Sequence, residues 1–393
     1  MIINRYSLLF IFFIFNSFSV STSAGVNYKN ITTKVVEGKP ESIQAYPLSV
    51  TKDISVKIDS VLKRFNKRQD FNGSVLVAKN GKLIFNNEYG YADFNKKTKI
   101  DKNSVFQLAS VSKQFTATAI LILYEKGLID LDDTVVKYFN EFPYEDITIR
   151  QLLNHTSGLP KYFWLAEHKW NNTKPPTNIE MIKMMEEHKL PLFFKPGSRF
   201  DYSNTGYFVL ASIIEKVSKM NYGDFLNVNI FEPLQMNNSY VYRFEQDIVN
   251  ENQLSGYRLY RRWRHAKISG TVNDAIVGDK NVYSTAEDLL KWINGLNSGK
   301  IISKHNLKEM YSKGETKYGR KVPYGYGFRI NDNSTEKVIY HNGKWNGFST
   351  SIKQYTNSDL VIITLEHSNY KSLNYLNNKV KTIVEENFDV TSF

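Results

Sequence analysis

Strand-forming runs sit near both ends of this chain, and the long stretch between them reads as helix and loop. Gly73–Ala78 (GSVLVA) and Lys82–Asn86 (KLIFN) flank an Asn80-Gly81 turn, the pattern of a β-hairpin. From Tyr324 the pattern returns to strands: Gly325–Ile330, Lys337–Tyr340, Phe348–Gln354 and Leu360–Leu365. A sheet built from these runs must join the two ends of the chain, so the middle enters as an insertion. Helices frame the runs. Ile54, Ile58, Val61, Leu62 and Phe65 recur at helical spacing, Ala109–Gly127 is long and apolar with a C-terminal glycine, and a last helix spans about Tyr370–Asn387. The expected architecture is therefore α/β, with an antiparallel sheet built from both chain ends, flanked by helices, and a mostly helical insertion. The α/β part spans 54–135 and 285–390, and the insertion 136–284.

The first residues bear on location. A single basic residue, Arg5, precedes the apolar run Ser7–Val20, and Ser21-Thr22-Ser23-Ala24 follows with small side chains. That order predicts a signal peptide over 1–24 and an exported, periplasmic or extracellular protein. Residues 25–53, polar and carrying Pro40 and Pro47, read as a tether. With 51 Lys and Arg against 39 Asp and Glu, the chain carries a net charge of +12. Such a surplus favours an anionic cell-wall polymer or membrane surface as partner. The densest basic cluster is Arg258, Arg261, Arg262, Arg264, His265 and Lys267 around Tyr257, Tyr260 and Trp263. It reads as a basic surface loop or hairpin, and no nucleic-acid module accompanies it. Without cysteine the chain has no disulfide, thiolate metal site or thiol nucleophile. His168, His188, His265, His305 and His367 show no metal-ligand spacing, and His155 in NHTSGLP reads as a turn-stabilising residue.

Three short motifs carry chemistry. Ser110-Val111-Ser112-Lys113 puts a hydroxyl and an amine at i and i+3, on one helix face. A desolvated lysine can take the proton of such a serine, and amides at a helix start face developing negative charge. The same S-x-x-K spacing occurs at Ser49, Ser60, Ser334 and Ser368, so the apolar helix that follows is what marks Ser110. Ser112 is adjacent to Lys113 in sequence and points elsewhere. Tyr202-Ser203-Asn204 brings a phenol and a carboxamide to one side of an extended loop, as do Y-x-N runs at Tyr28, Tyr138, Tyr355 and Tyr375. His341-Asn342-Gly343 falls at the junction of two expected strands, where Gly343 and Gly347 would let a substrate backbone lie close to the sheet edge.

In this order, 92 and 139 residues apart, the three motifs resemble the serine β-lactamase-related superfamily. Its class C β-lactamases, low-molecular-mass penicillin-binding proteins and β-lactamase-like esterases are the nearest branches. GSVLVAKNGKLIF, ITIRQLLNHTSGLP, FKPGSRFDYSNTGY, VYSTAEDLLKW and HNGKWNGF are similar to family segments, and the likeness spans roughly 55–390. The resemblance implies a β-lactamase/transpeptidase-like fold and a serine hydrolase without cofactor or metal. It also implies roles: Ser110 is acylated, Lys113 and Tyr202 share the proton transfers, and Asn204 orients the substrate. The amides of Ser110 and Lys344 form the oxyanion hole. His341 stands where penicillin-recognising members carry a lysine, and histidine is mostly neutral at neutral pH. Carboxylate recognition would then need another cation, Lys344 or Lys317 among the candidates. The expected substrate is a small molecule or a cell-wall fragment, cleaved by a D,D-peptidase-type or esterase reaction. The alternatives are a class C-like β-lactamase and a non-catalytic cell-wall-binding protein. Whether Lys113 or Tyr202 acts as the acylation base stays open at this point.

Overall fold

A computed structural model describes residues 43–244, 250–261, 264–332 and 335–388. The segment expected as a signal peptide and nearly all of the expected tether lie outside the described residues, as do Arg262 and Trp263. The central sheet has six strands: β1 (Gly73–Lys79), β2 (Lys82–Tyr89), β3 (Arg329–Asn331), β4 (Val338–Trp345), β5 (Phe348–Tyr355) and β6 (Leu360–Glu366). They lie in the order β3-β4-β5-β6-β1-β2 with every neighbouring pair antiparallel. The seam between the two chain ends is the β1–β6 pair, which runs from Gly73 opposite Glu366 to Lys79 opposite Leu360.

Both faces of this sheet are buried, and side-chain alternation assigns each residue to a face. Val75, Val77, Leu360 and Ile362 pack under helices α1 (Leu48–Gln69) and, at the C-terminus, Leu373–Asn387. The intervening Leu76, Ala78, Val361, Ile363 and Leu365 face the larger core shared with the helical middle of the chain. There α2 (Lys113–Glu125) and α3 (Asn204–Ser218) pack together. A small second sheet orders Phe106–Gln107, Val282–Ser284 and Tyr240–Val241, and so holds the approach to α2.

Several local expectations shift. Helix α1 starts at Leu48, inside the stretch read as tether, and Tyr46 and Gln44 bond to Leu83 of β2. Ala109–Gly127 is not one helix. Ala109–Ser112 forms a 3₁₀ turn, with Ala109 at φ +49°, and the α-helix begins at Lys113. Gly325–Ile330 is mostly turn, because the Gly325 amide bonds the Phe328 carbonyl, and the strand starts only at Arg329. His341 lies inside β4 and not at its end. The chain reverses at Asn346-Gly347, whose φ values of +42° and +91° suit a two-residue hairpin. The basic segment does form a hairpin, Tyr257–Arg261 with Arg264–Lys267, whose Arg258, Arg261, Arg264 and Lys267 are exposed.

Ile362 is fully buried at the centre of β6, beneath both terminal helices. Ile362→Ala should cost about 2–5 kcal/mol, read as a lower urea midpoint at unchanged slope.

Candidate active site

The 3₁₀ turn decides how Ser110 meets Lys113. In that geometry residues i and i+3 eclipse one another, closer than on an α-helix. The Lys113 Nζ accordingly stands 3.3 Å from Ser110 Oγ. The turn is held against the sheet from two sides. Thr350 of β5 donates to the Leu108 carbonyl at 2.7 Å, and Gly343 of β4 lies so close that a Cβ there would meet that carbonyl at 2.2 Å. Gly343 therefore makes room for the chain's own serine-bearing turn, and not for a substrate backbone. Gly347 likewise serves the hairpin turn and faces the backbone of Tyr257. Ser112, fully buried, accepts from the Val282 amide and takes no part in the cleft.

Lys113 is fully buried at the first residue of α2. Its nitrogen also bonds Asn204 Oδ1 and the Asp279 carbonyl, both at 2.8 Å. Burial drives the ammonium down to about 7; Asp279 resists and Arg329 adds to the fall. A neutral amine has two N–H groups and one lone pair. The two short bonds to oxygen acceptors take the protons, which leaves the lone pair for the Ser110 hydroxyl. The Lys113 Nζ lies 5.1 Å from the Tyr202 ring centroid and 5.5 Å from that of Tyr207.

Tyr202 and Asn204 enter where α3 begins. Ser203 caps that helix by accepting from the Gly206 amide, which turns the flanking residues toward Lys113. The Tyr202 hydroxyl is buried without a geometric hydrogen-bond partner among the described residues. Burial pushes this phenol well above its ordinary pKa, while the nearby Ser110 hydroxyl and Arg329 pull it partly back. Proton loss to a phenolate is thus disfavoured in the free protein.

His155 holds Tyr202 in place. Its carbonyl accepts from the Asp201 amide at 3.0 Å and its Nδ1 from the Ser203 amide at 3.1 Å, so the two residues flanking Tyr202 are tied to one histidine. The rings of His155 and Tyr202 pack at 4.4 Å, and His155 itself sits at φ +60°. Because Nδ1 accepts, the proton is on Nε2. Burial, then the charge of Lys113, keeps this ring neutral far into acid.

His341 is also buried and neutral, held well below its usual pKa by desolvation and by Lys113 and Arg329. Its Nδ1 donates to the Asn342 carbonyl at 2.8 Å, and its Nε2 accepts from the Tyr324 hydroxyl at 2.9 Å. With both nitrogens engaged inside the protein, this ring offers no hydrogen bond to a ligand. The side chain of Lys344 is exposed, and the exposed Lys317 lies against Tyr318. A cation that stands directly beside Tyr202 is Arg329, at the start of β3, with its guanidinium 5.0 Å from the ring centroid. It carries no motif, and only the fold brings it here. Beside Tyr202 and Asn204 opens a cavity of about 260 Å³, walled by Leu159, Tyr162, Phe163, Phe193 and Phe194, with Lys161 and Asp201 also on its lining. Among the described residues no group of three or more His, Asp or Glu is gathered to hold a metal ion, and no helix is long and apolar enough to cross a membrane.

Known proteins share this fold. The Beta-lactamase family model matches residues 58–382. Penicillin-binding protein 4* of Bacillus subtilis (strain 168) is 33% identical over 345 residues, which cover 82% of this chain and 71% of that protein. Protein flp of Staphylococcus aureus (strain MW2) is 29% identical, over 84% of this chain and 67% of the relative. Among solved structures, the octameric penicillin-binding protein homologue from Pyrococcus abyssi superposes with a TM-score of 0.73 at 27% identity, covering 84% of this chain and 77% of that one.

The clamp on Tyr202 is testable by chemistry. Asparagine can present an oxygen near the place of Nδ1 and tolerates left-handed backbone, whereas alanine can do neither as well. His155→Ala should lower the turnover number ~100-fold, and His155→Asn should recover most of it; equal losses in two folded variants would contradict the clamp.

Proposed function

The chain belongs to the Beta-lactamase family as a serine hydrolase, and on that premise we propose that it is an exported acyl-enzyme hydrolase of D-amino-acid peptides. The observation that carries this reading is the fully buried Lys113 amine 3.3 Å from Ser110 Oγ. In acylation, Ser110 Oγ attacks the scissile carbonyl and passes its proton to Lys113 Nζ. Lys113 serves as base in preference to Tyr202, since burial favours the neutral form of each and the neutral form is basic only in the amine. The amides of Ser110 and Lys344 receive the oxyanion. The Tyr202 phenol relays a proton to the departing amine, and water then releases the acyl group.

Two features favour a peptide-type substrate over a plain ester. Arg329 supplies the fixed positive charge that His341 lacks, so a free carboxylate beyond the scissile bond finds a partner beside Tyr202. On the acyl side, the aromatic-walled cavity next to Asn204 suits an apolar side chain. The Penicillin-binding protein 4* relationship points the same way. The pattern of residues 1–24 supports export, and the exposed basic hairpin supports an anionic cell-wall polymer or membrane surface as partner. β-Lactam hydrolysis is the second reading, favoured by the family itself.

Intact mass after incubation with benzylpenicillin tests the proposal. Wild type should gain the mass of the whole drug and Ser110→Ala none; an adduct that decays as the drug is consumed would favour the second reading. Equal modification of both proteins, or of neither, would count against the peptidase reading. Arg329→Met should raise KM at least ~10-fold for a D-Ala-D-Ala peptide with a free carboxylate, the loss of about one charged hydrogen bond, and change it little for the amidated peptide.

A further inference from the structure

Behind Lys113 lies a second buried lysine that the reaction above does not use. The Lys280 ammonium donates to the Tyr162 hydroxyl at 2.6 Å, the Ile276 carbonyl at 3.1 Å and Asp279 Oδ1 at 3.1 Å. Tyr162 donates in turn to the other Asp279 oxygen at 3.1 Å. The rings of Tyr162, Trp345 and Phe163 enclose the ammonium at 5.3, 5.3 and 5.7 Å. Side-chain exposure is 3% for Lys280 and 0% for Asp279, so both ions have been stripped of water. Such a pair gives little net stability over apolar packing of the same volume. Fold stability alone therefore does not account for it.

Its connection to the reaction runs through one residue. Asp279 binds Lys280 with its carboxylate and Lys113 with its carbonyl, the latter at 2.8 Å. We propose that the Asp279–Lys280–Tyr162 cluster is a positioning device for the catalytic lysine: it aims the Lys113 amine and, through one buried anion held by one buried cation, sets the pH at which that amine becomes free to take the Ser110 proton. The proposal rests on Lys113 being the base. The groups around Lys113 are Ser110 from its own turn, Tyr202 from the loop ahead of α3, Asn204 and Tyr207 from α3, the neutral rings of His155 and His341, Arg329 from β3, and Asp279. Of these, Asp279 brings the negative charge that favours the ammonium and Arg329 the positive charge that opposes it. On the Lys280 side, the buried Asp274, bonded to Trp345 and Asn346, is a second carboxylate that favours the Lys280 ammonium.

The sign of each change follows. Loss of the Asp279 charge makes Lys113 easier to deprotonate, so activity persists to lower pH. Loss of the Lys280 charge leaves Asp279 uncompensated and makes Lys113 harder to deprotonate, so activity is lost at higher pH. The readout is the pH dependence of kcat/KM for p-nitrophenyl acetate, taken as the difference from Ser110→Ala. Wild type should lose activity as pH falls through about 7. Asp279→Asn should move this acid limb down by ~1 unit and Lys280→Met should move it up by ~1 unit. The Asp279→Asn/Lys280→Met double variant, which removes both charges of the buried pair, should move it down by less than Asp279→Asn alone, because Asp279 is the partner in direct contact with Lys113. Folded single variants whose limbs coincide with wild type, or shift together in one direction, would overturn the proposal. If neither single variant folds, an unmoved limb in the double variant overturns it. Lys113→Ala separates the two levels: retained turnover there refutes Lys113 as the base, whereas lost turnover with unmoved limbs in the cluster variants refutes the cluster alone.

Discussion

An amine buried without water is the constraint on which the rest of this molecule depends. Placing Lys113 in the interior is costly unless each of its hydrogen-bonding positions is met. Three distant segments meet them: the turn carrying Ser110, the start of α3 with Asn204, and the carbonyl of Asp279 ahead of Val282–Ser284. Those segments belong to the sheet-linked turn and to the helical middle of the chain. The candidate catalytic groups thus lie where the sheet-linked turn meets the helical middle of the chain. The same burial makes the amine near-neutral, which is the condition for it to act as a base around pH 7.

The electrostatics of the site are arranged around that amine. His155, His341 and Tyr202 stay uncharged because they too are desolvated, and the cations nearby make protonation of the histidines harder still. Neutral histidines serve as fixed hydrogen-bonding units: His155 ties down both flanks of Tyr202, and His341 links Tyr324 to its own strand. Arg329 sets a positive charge directly beside Tyr202, and Lys161 and Asp201 line the cavity next to it. On the proposed peptidase reading, a positive charge for an anionic substrate would come from Arg329 on a neighbouring strand and not from the histidine of the third motif.

Much of this was legible in the sequence, and the boundary of what was legible has a physical cause. The sheet drawn from both chain ends followed from the strand-forming runs in Gly73–Asn86, with their Asn80-Gly81 turn, and in Leu360–Leu365, and the structure has it as β1 against β6. Ser110 with Lys113, and Tyr202 with Asn204, could be paired because a few residues of spacing fix their relative direction. Arg329, Asp279 and Lys280 could not, since nothing local marks them and they reach the site only through tertiary packing. Gly343 was misjudged for a related reason: its small size was legible, but the backbone it accommodates belongs to Leu108 and not to a ligand. His155 was read as a turn residue, and the turn it stabilises proves to be the one that holds Tyr202.

The most direct test is an NMR titration of protein labelled with ¹³C at lysine Cε, with Lys113→Arg used to assign the Lys113 signal. A Lys113 midpoint near 7, well apart from the exposed lysines, is the result this account predicts. A midpoint among the ordinary lysines, near ~10.4, would mean that Lys113 is protonated at working pH and cannot take the Ser110 proton.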